Sequence, residues 1–167
     1  MDLKLSTDEL ASGRTLLGSV VPNLKRTICL YTFATGDKCY SKGWWEIFYA
    51  RLKLECPGYN IIEILPIENV SQLSFAAPSF YSKDVREMGS LIANTEIFIG
   101  ADSGIMHLAS SVHTPTVGFF SVTAKDNYAP YNDRSMAFDT NNSKLDDWMR
   151  EITKILGIKR EEFSINE

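Results

Sequence analysis

The run Thr27-Ile28-Cys29-Leu30-Tyr31-Thr32-Phe33 is β-favouring throughout and has no regularly polar face. A strand of this kind is covered on both sides, which in practice means a sheet with helices packed on each face. Similar runs follow at 59–65, 96–100 and 115–120, with shorter ones at 80–81 and 135–138. Between them lie helical patterns. Ser6-Thr7-Asp8-Glu9 offers a capping box before Leu10, Leu16, Leu17, Val20 and Val21, and Pro22-Asn23 stops that helix. Residues 44–55 place Trp45, Phe48, Tyr49 and Leu52 on one apolar face and end at Pro57-Gly58. Asp84 caps a helix carrying Val85, Met88, Leu91 and Ile92. Residues 103–111 form a short, mostly apolar helix. Asn142-Ser143 opens the last one, which buries Leu145, Trp148, Met149, Ile152 and Ile155 and ends at Gly157. Strands alternating with helices at this spacing predict an α/β fold: a Rossmann-like parallel sheet, helices on both faces, right-handed crossovers.

At 167 residues the chain can bury about 70% of its unfolded surface in one core. It divides into an N-terminal helix and linker at 1–25, the Rossmann-like domain at 26–157 and a polar tail at 158–167. The 17 Lys and Arg against 21 Asp and Glu give a formal charge of -4, the wrong sign for neutralising a nucleic-acid backbone. The first ten residues carry acids and hydroxyls where a signal peptide has its apolar region, and no apolar stretch approaches the roughly 18 residues of a membrane span. Cys29, Cys39 and Cys56 are odd in number and too far apart for a C-x-x-C pair, which fits a reducing compartment. The expectation is a cytoplasmic protein, with Cys29 in the core of a strand.

Ligands of such sheets bind at the carboxyl ends of the strands. Two segments fall there: the turn from Thr35 to Lys42, and the stretch Ile99-Gly100-Ala101-Asp102-Ser103-Gly104-Ile105-Met106-His107. In the second, a strand stops at Gly100 and a helix begins at Ser103. Free N–H groups at the helix start and the positive end of its dipole therefore face the crevice, which suits a phosphate. Gly104 leaves out a side chain where a diphosphate would need to approach, Ser103 adds a hydroxyl, and His107 lies one turn on along the same face. Two plainer readings stay open. Asp102-Ser103 also serves as an ordinary N-cap, and His107 also serves as a core histidine bonded to a carbonyl. No D-x-D, G-x-x-x-x-G-K-[ST] or G-x-G-x-x-G motif is present.

The stretch Gly100-Ala101-Asp102-Ser103-Gly104-Ile105-Met106-His107-Leu108-Ala109, followed by Thr114-Pro115-Thr116-Val117-Gly118-Phe119-Phe120-Ser121-Val122-Thr123, resembles the D-[ST]-G-x-x-H-L-A motif and the strand after it in the ADP-heptose:lipopolysaccharide heptosyltransferases, glycosyltransferase family nine. Lys42-Gly43-Trp44 is similar to that family's K-x-W, with Thr35 near its loop threonine. The resemblance covers residues 26–156 and implies the C-terminal, donor-binding half of a GT-B enzyme acting in lipopolysaccharide or other surface-glycan synthesis, peripheral to the inner membrane. It implies no cofactor and no metal, with a nucleotide-diphosphate-sugar, ADP-linked, as the substrate held. It puts the diphosphate on Ser103 and Gly104, gives Lys42 the positive charge on a phosphate oxygen, and sets Asp102 and His107 beside the sugar or diphosphate. Lys42, Asp102 and His107 are thus the candidate catalytic residues, and Thr35 and Glu68 are further candidate contacts, Glu68 to the ribose or base.

The family's pattern leaves the acceptor site and the catalytic aspartate to an N-terminal domain without a counterpart here, so a partner polypeptide or a homodimer is expected to complete the enzyme, and the chain alone is expected to be inactive. The turn between Thr35 and Lys42 is longer than the family's and carries an additional lysine, Lys38, so either lysine can face the phosphate. A binding or scaffold module derived from such an enzyme is the alternative function. The aromatic loop 128–133 is a candidate cover for the base or sugar. Trp44, Trp45 and Trp148 are read as packing residues.

Overall fold

The computed structural model describes residues 1–122 and 129–160. The strands are β1 (Thr27–Tyr31), β2 (Asn60–Ile64), β3 (Ser79–Phe80), β4 (Ile97–Ala101), β5 (Thr116–Phe120) and β6 (Met136–Asp139). They form one sheet in the order β3-β2-β1-β4-β5-β6, and every neighbouring pair is parallel. The α-helices among the described residues are α1 (Thr7–Val20), α2 (Lys42–Glu55), α3 (Val85–Ile92), α4 (Gly104–Ser111) and α5 (Leu145–Leu156), with a 3₁₀ turn at Gly36–Lys38. The expected Rossmann-like sheet is therefore present, short strands included.

Successive side chains of each strand point to opposite faces, and the two faces carry separate cores. Ile28, Leu30, Ile97, Ile99, Val117 and Phe119 meet Trp45, Phe48 and Leu52 of α2 and Trp148, Met149 and Ile152 of α5. Cys29, Tyr31, Ile62, Phe98 and Phe120 meet Met88, Leu91 and Ile92 of α3 and Met106, Leu108 and Ala109 of α4. The tryptophans are packing residues as expected: Trp45 is fully buried, and Trp44 stacks on Tyr40 at 4.2 Å between ring centroids. Cys29 lies in the core of β1, and burial pushes its thiol pKa up.

The predicted capping box of α1 forms. Glu9 N–H donates to Ser6 Oγ at 3.1 Å, and Ser6 N–H donates to Glu9 Oε2 at 2.7 Å. Glu9 also holds Arg86 of α3, whose guanidinium reaches the carbonyls of Leu3 and Lys4. That ion pair keeps the Glu9 carboxyl at about 2. Helix α1 lies so close to α3 that a Cβ at Gly13 would overlap the carbonyl of Ser90. Gly13→Ala should force the two helices apart and lower the unfolding free energy by about 1–3 kcal/mol. A urea melt reads this as a lower midpoint at unchanged slope.

Two details fix the position of α4, the helix that matters most below. Asp102 N–H donates to the Phe119 carbonyl at 3.1 Å, so the β4–β5 ladder continues past the strand and fixes the residue before the helix cap. On β5, a Cβ at Gly118 would come within 2.6 Å of Met106 Sδ, so glycine there lets the Met106 side chain of α4 pack directly on the strand.

Candidate functional site

The strand order reverses direction between β1 and β4, since β1 leads outward to β2 and β3 while β4 leads to β5 and β6. The loops leaving these two strands diverge to opposite sides of the sheet, and a crevice opens between them at the carboxyl ends. A cavity of about 340 Å³ occupies that place. From the β1 side it is lined by Tyr31, Phe33, Ala34, Thr35 and Lys38, and from the β4 side by Asp102, Ser103, Gly104 and His107.

Ser103 is the N-cap of α4. Its backbone is extended, and its Oγ accepts the Met106 N–H at 3.3 Å. Among the described residues, the N–H groups of Gly104 and Ile105 have no acceptor, as the first turn of a helix dictates. Among the described residues, a Cβ at Gly104 would meet nothing within 4 Å, so the space beside Gly104, which lines the cavity, is open. His107 lines the same cavity one turn further along α4.

Asp102 is buried, its side chain 6% exposed, and Lys38 Nζ stands 3.1 Å from its Oδ2. The same oxygen has no hydrogen-bond partner among the described residues, so the contact is an ion pair without an aligned N–H. Lys38 is brought there by the 3₁₀ turn Gly36–Lys38, which Gly36 enters at φ 58, a value glycine adopts without strain.

Of the residues proposed from the sequence, Thr35, Asp102, Ser103, Gly104 and His107 are brought together around one cavity. Lys42 is not among the residues lining it. It is exposed, at the first position of α2, just after the Ser41 cap. Glu68 is exposed in a turn outside this cavity. A second hollow of about 370 Å³ is lined on the carboxyl side of β1, β2 and β3 by Tyr31, Leu65, Pro66, Ile67, Tyr81 and Ser82, with Lys83, Val85, Met88 and Ile105 closing it; Glu68 follows Ile67 in the chain but does not line it. Tyr31 stands between the two hollows. Burial, with the Glu68 and Cys39 charges adding to it, pushes its hydroxyl up to about 12, so it stays protonated at neutral pH.

Tyr31, Phe33 and Ala34 were not singled out from the sequence. Their signal was positional, since they end the first strand of a sheet whose crevice opens beside that strand. The aromatic loop does not cover this site where it is described. Tyr131 Oη donates to the Met1 carbonyl and Asn132 Nδ2 to the Thr114 carbonyl, both at 2.7 Å, which places them at the amino-terminal edge of β5, opposite the cavity. The chain must return to that edge to start another parallel strand, and this geometric requirement was missed. Tyr128 lies outside the described residues.

Among the described residues no three His, Cys, Asp or Glu side chains lie together as a metal site, and no helix is long and apolar enough to cross a membrane.

Residues 83–154 match glycosyltransferase family 9 (heptosyltransferase). Over 52 residues the chain is 35% identical to lipopolysaccharide heptosyltransferase 3 of Escherichia coli, which is 31% of this chain and 15% of that protein. Its fold is that of E. coli ADP-heptose lps heptosyltransferase II, with a TM-score of 0.73 at 14% identity over 93% of this chain and 53% of that one. It is also that of E. coli heptosyltransferase WaaC with ADP, with a TM-score of 0.66 at 12% identity over 86% of this chain and 48% of that one. The chain thus spans about half the length of these two structures. These matches bear out the resemblance carried by the Asp102-Ser103-Gly104 and His107 motif.

Proposed function

We propose, from the premise that this is a heptosyltransferase-like chain whose residues 83–154 carry the family 9 pattern, that it is the nucleotide-sugar-binding half of a metal-independent glycosyltransferase of lipopolysaccharide or other surface-glycan synthesis. The observation that carries the reading is the cavity at the β1/β4 divide, where the open N–H groups of α4 meet Thr35, Asp102 and His107. A diphosphate fits it chemically. Gly104 and Ile105 N–H donate to phosphate oxygens, and the dipole of α4 adds positive potential behind them. The Ser103 hydroxyl, already accepting from Met106, has its own proton free to donate.

With the diphosphate there, the nucleoside extends over Tyr31 into the second hollow, whose apolar walls at Leu65, Pro66, Ile67 and Met88 suit a base, and Glu68, next in the chain after Ile67, is the candidate for the ribose hydroxyls. The sugar lies toward Asp102 and His107. In transfer, the sugar C1–oxygen bond to the β-phosphate breaks as the acceptor oxygen attacks, and negative charge grows on the departing diphosphate. Donors already aimed at that oxygen stabilise the transition state more than the ground state. The acceptor and its base belong to a part of the enzyme outside these residues, so this chain alone binds donor without turning it over. The donor's ADP identity rests on the names of the matched heptosyltransferases.

Calorimetric titration with ADP, UDP and GDP, with and without EDTA, tests this. ADP should bind preferentially at micromolar to millimolar concentration, EDTA should leave the affinity unchanged, and Ser103→Ala should weaken it about three- to tenfold through one lost hydrogen bond. Absence of binding for all three nucleotides would point to the scaffold alternative, and loss of binding in EDTA would remove the metal-independent mechanism.

A further inference from the structure

We infer that Lys38, and not the K-x-W lysine Lys42, supplies the cation that meets the donor's diphosphate, and that its ion pair with buried Asp102 is what makes the cavity able to accept an anion. The inference rests on the donor-site reading above. Its first support is position: Lys38 lines the cavity in front of Ser103 and Gly104, whereas Lys42 does not line it and is exposed on α2.

The second support is charge. Asp102 is buried beside the same N–H groups that are to receive a phosphate. Left alone, a carboxylate there repels a diphosphate, and the low local dielectric magnifies the repulsion. Among the described residues, Lys38 is the one Lys or Arg that lines the cavity. With Nζ 3.1 Å from Asp102 Oδ2 and a side chain still 38% exposed, it cancels that charge while leaving ammonium protons free. An ammonium has three donors, and the pair with Asp102 lacks an aligned hydrogen bond, so Lys38 can turn to a phosphate oxygen without giving up a well-made contact.

The 3₁₀ turn explains how the sequence achieves this. The segment between Thr35 and the α2 cap Ser41 is long enough to fold back at Gly36, and the fold-back carries Lys38 inward while Lys42 becomes the first residue of α2. The added loop length and the change of lysine are therefore one event.

The test is calorimetry with ADP on the full chain and four variants: Lys38→Met, Lys42→Met, Asp102→Asn and the Lys38→Met/Asp102→Asn double. Thermal melts report folding. Lys38→Met should weaken ADP at least about tenfold, because it removes a charge-assisted contact and uncovers Asp102. Lys42→Met should change it less than about twofold, as expected of an exposed charge. The double variant carries no unpaired buried carboxylate, so it folds even where Lys38→Met does not, and it should still bind about fivefold or more weakly than Asp102→Asn. A larger loss in Lys42→Met than in Lys38→Met overturns the assignment. Equal affinity of the double variant and Asp102→Asn also overturns it, since Lys38 then only neutralises Asp102. If the unaltered chain takes no ADP, the donor-site reading fails and this inference with it; if it binds ADP and only the variants disagree, the lysine assignment fails alone.

Discussion

Gly104→Val should reduce ADP affinity about 100-fold in a protein that unfolds at nearly the wild-type temperature. The two halves of this expectation come from one fact. A Cβ at Gly104 meets nothing within 4 Å among the described residues, so a side chain there clashes with nothing in the free protein, and helix propensity favours valine over glycine by about 0.3 kcal/mol. The same open space is where a phosphate must approach Gly104 and Ile105 N–H to within about 3 Å. A branched side chain keeps it away from both donors, and two hydrogen bonds to a charged group at about 1.5 kcal/mol each amount to roughly two decades in Kd. A melt and a titration on the same sample separate a blocked site from a damaged fold. Wild-type affinity in this variant would place the phosphate elsewhere.

The second large effect concerns Glu63, a fully buried carboxylate on β2. Its Oε2 accepts from Thr32 Oγ1 and its Oε1 from Ser71 Oγ, both at 2.6 Å. Ser71 Oγ in turn accepts the N–H groups of Leu73 and Phe75, and Thr32 Oγ1 accepts that of Gln72. With both lone pairs occupied, the Ser71 hydroxyl proton has only Glu63 to go to. One carboxylate therefore fastens the loop after β2, and with it the wall of the second hollow, to the end of β1. Glu63→Ala should cost about 3–5 kcal/mol, because two buried hydroxyls lose their acceptor and a cavity opens. That is a large share of the stability of a domain this size.

The pH dependence has a definite sign. Burial raises the Glu63 carboxyl pKa above its ordinary 4.5, and the two hydroxyl bonds only partly oppose it. The folded state therefore holds the proton more tightly than the unfolded one. The resulting stability is fully present below pH 4.5 and is lost as pH rises through the folded value. The unfolding free-energy difference between wild type and Glu63→Gln should accordingly be larger at pH 4 than at pH 7. Urea melts at both pH values check it, and a difference that grows with pH would contradict the account.

Most of the architecture was legible because the signals were local. The Ser6 and Glu9 capping box, the Asp84 cap, the Pro57-Gly58 stop and Gly157 after α5 each mark a boundary by a physical necessity of helix ends, and the nearly continuous β-favouring run 27–33 already implied a sheet covered on both sides. Even the two-residue strand β3 was within reach. Around the cavity, Asp102, Ser103, Gly104 and His107 were legible because they follow one another across a strand end and a helix start.

What was not legible depends on the path of loops. The 3₁₀ turn that swings Lys38 toward Asp102 follows from backbone geometry at Gly36, which spacing alone does not disclose. Glu63 lies inside the strand run 59–65, and its partners Thr32 and Ser71 are joined to it only by the fold. Tyr131 and Asn132 sit at the wrong end of the sheet for a lid because the chain has to travel back before β6 begins.

The central claim is that the N-terminus of α4 is a diphosphate seat, and a backbone amide NMR titration of the ¹⁵N-labelled chain with ADP tests it most directly. The account predicts the largest shifts at the amides of Ser103, Gly104 and Ile105, with smaller ones at Thr35 and Lys38 across the cavity. Binding whose largest shifts fall elsewhere, for instance around His113 at the opposite edge of the sheet, or the absence of any shift at millimolar ADP, would contradict it.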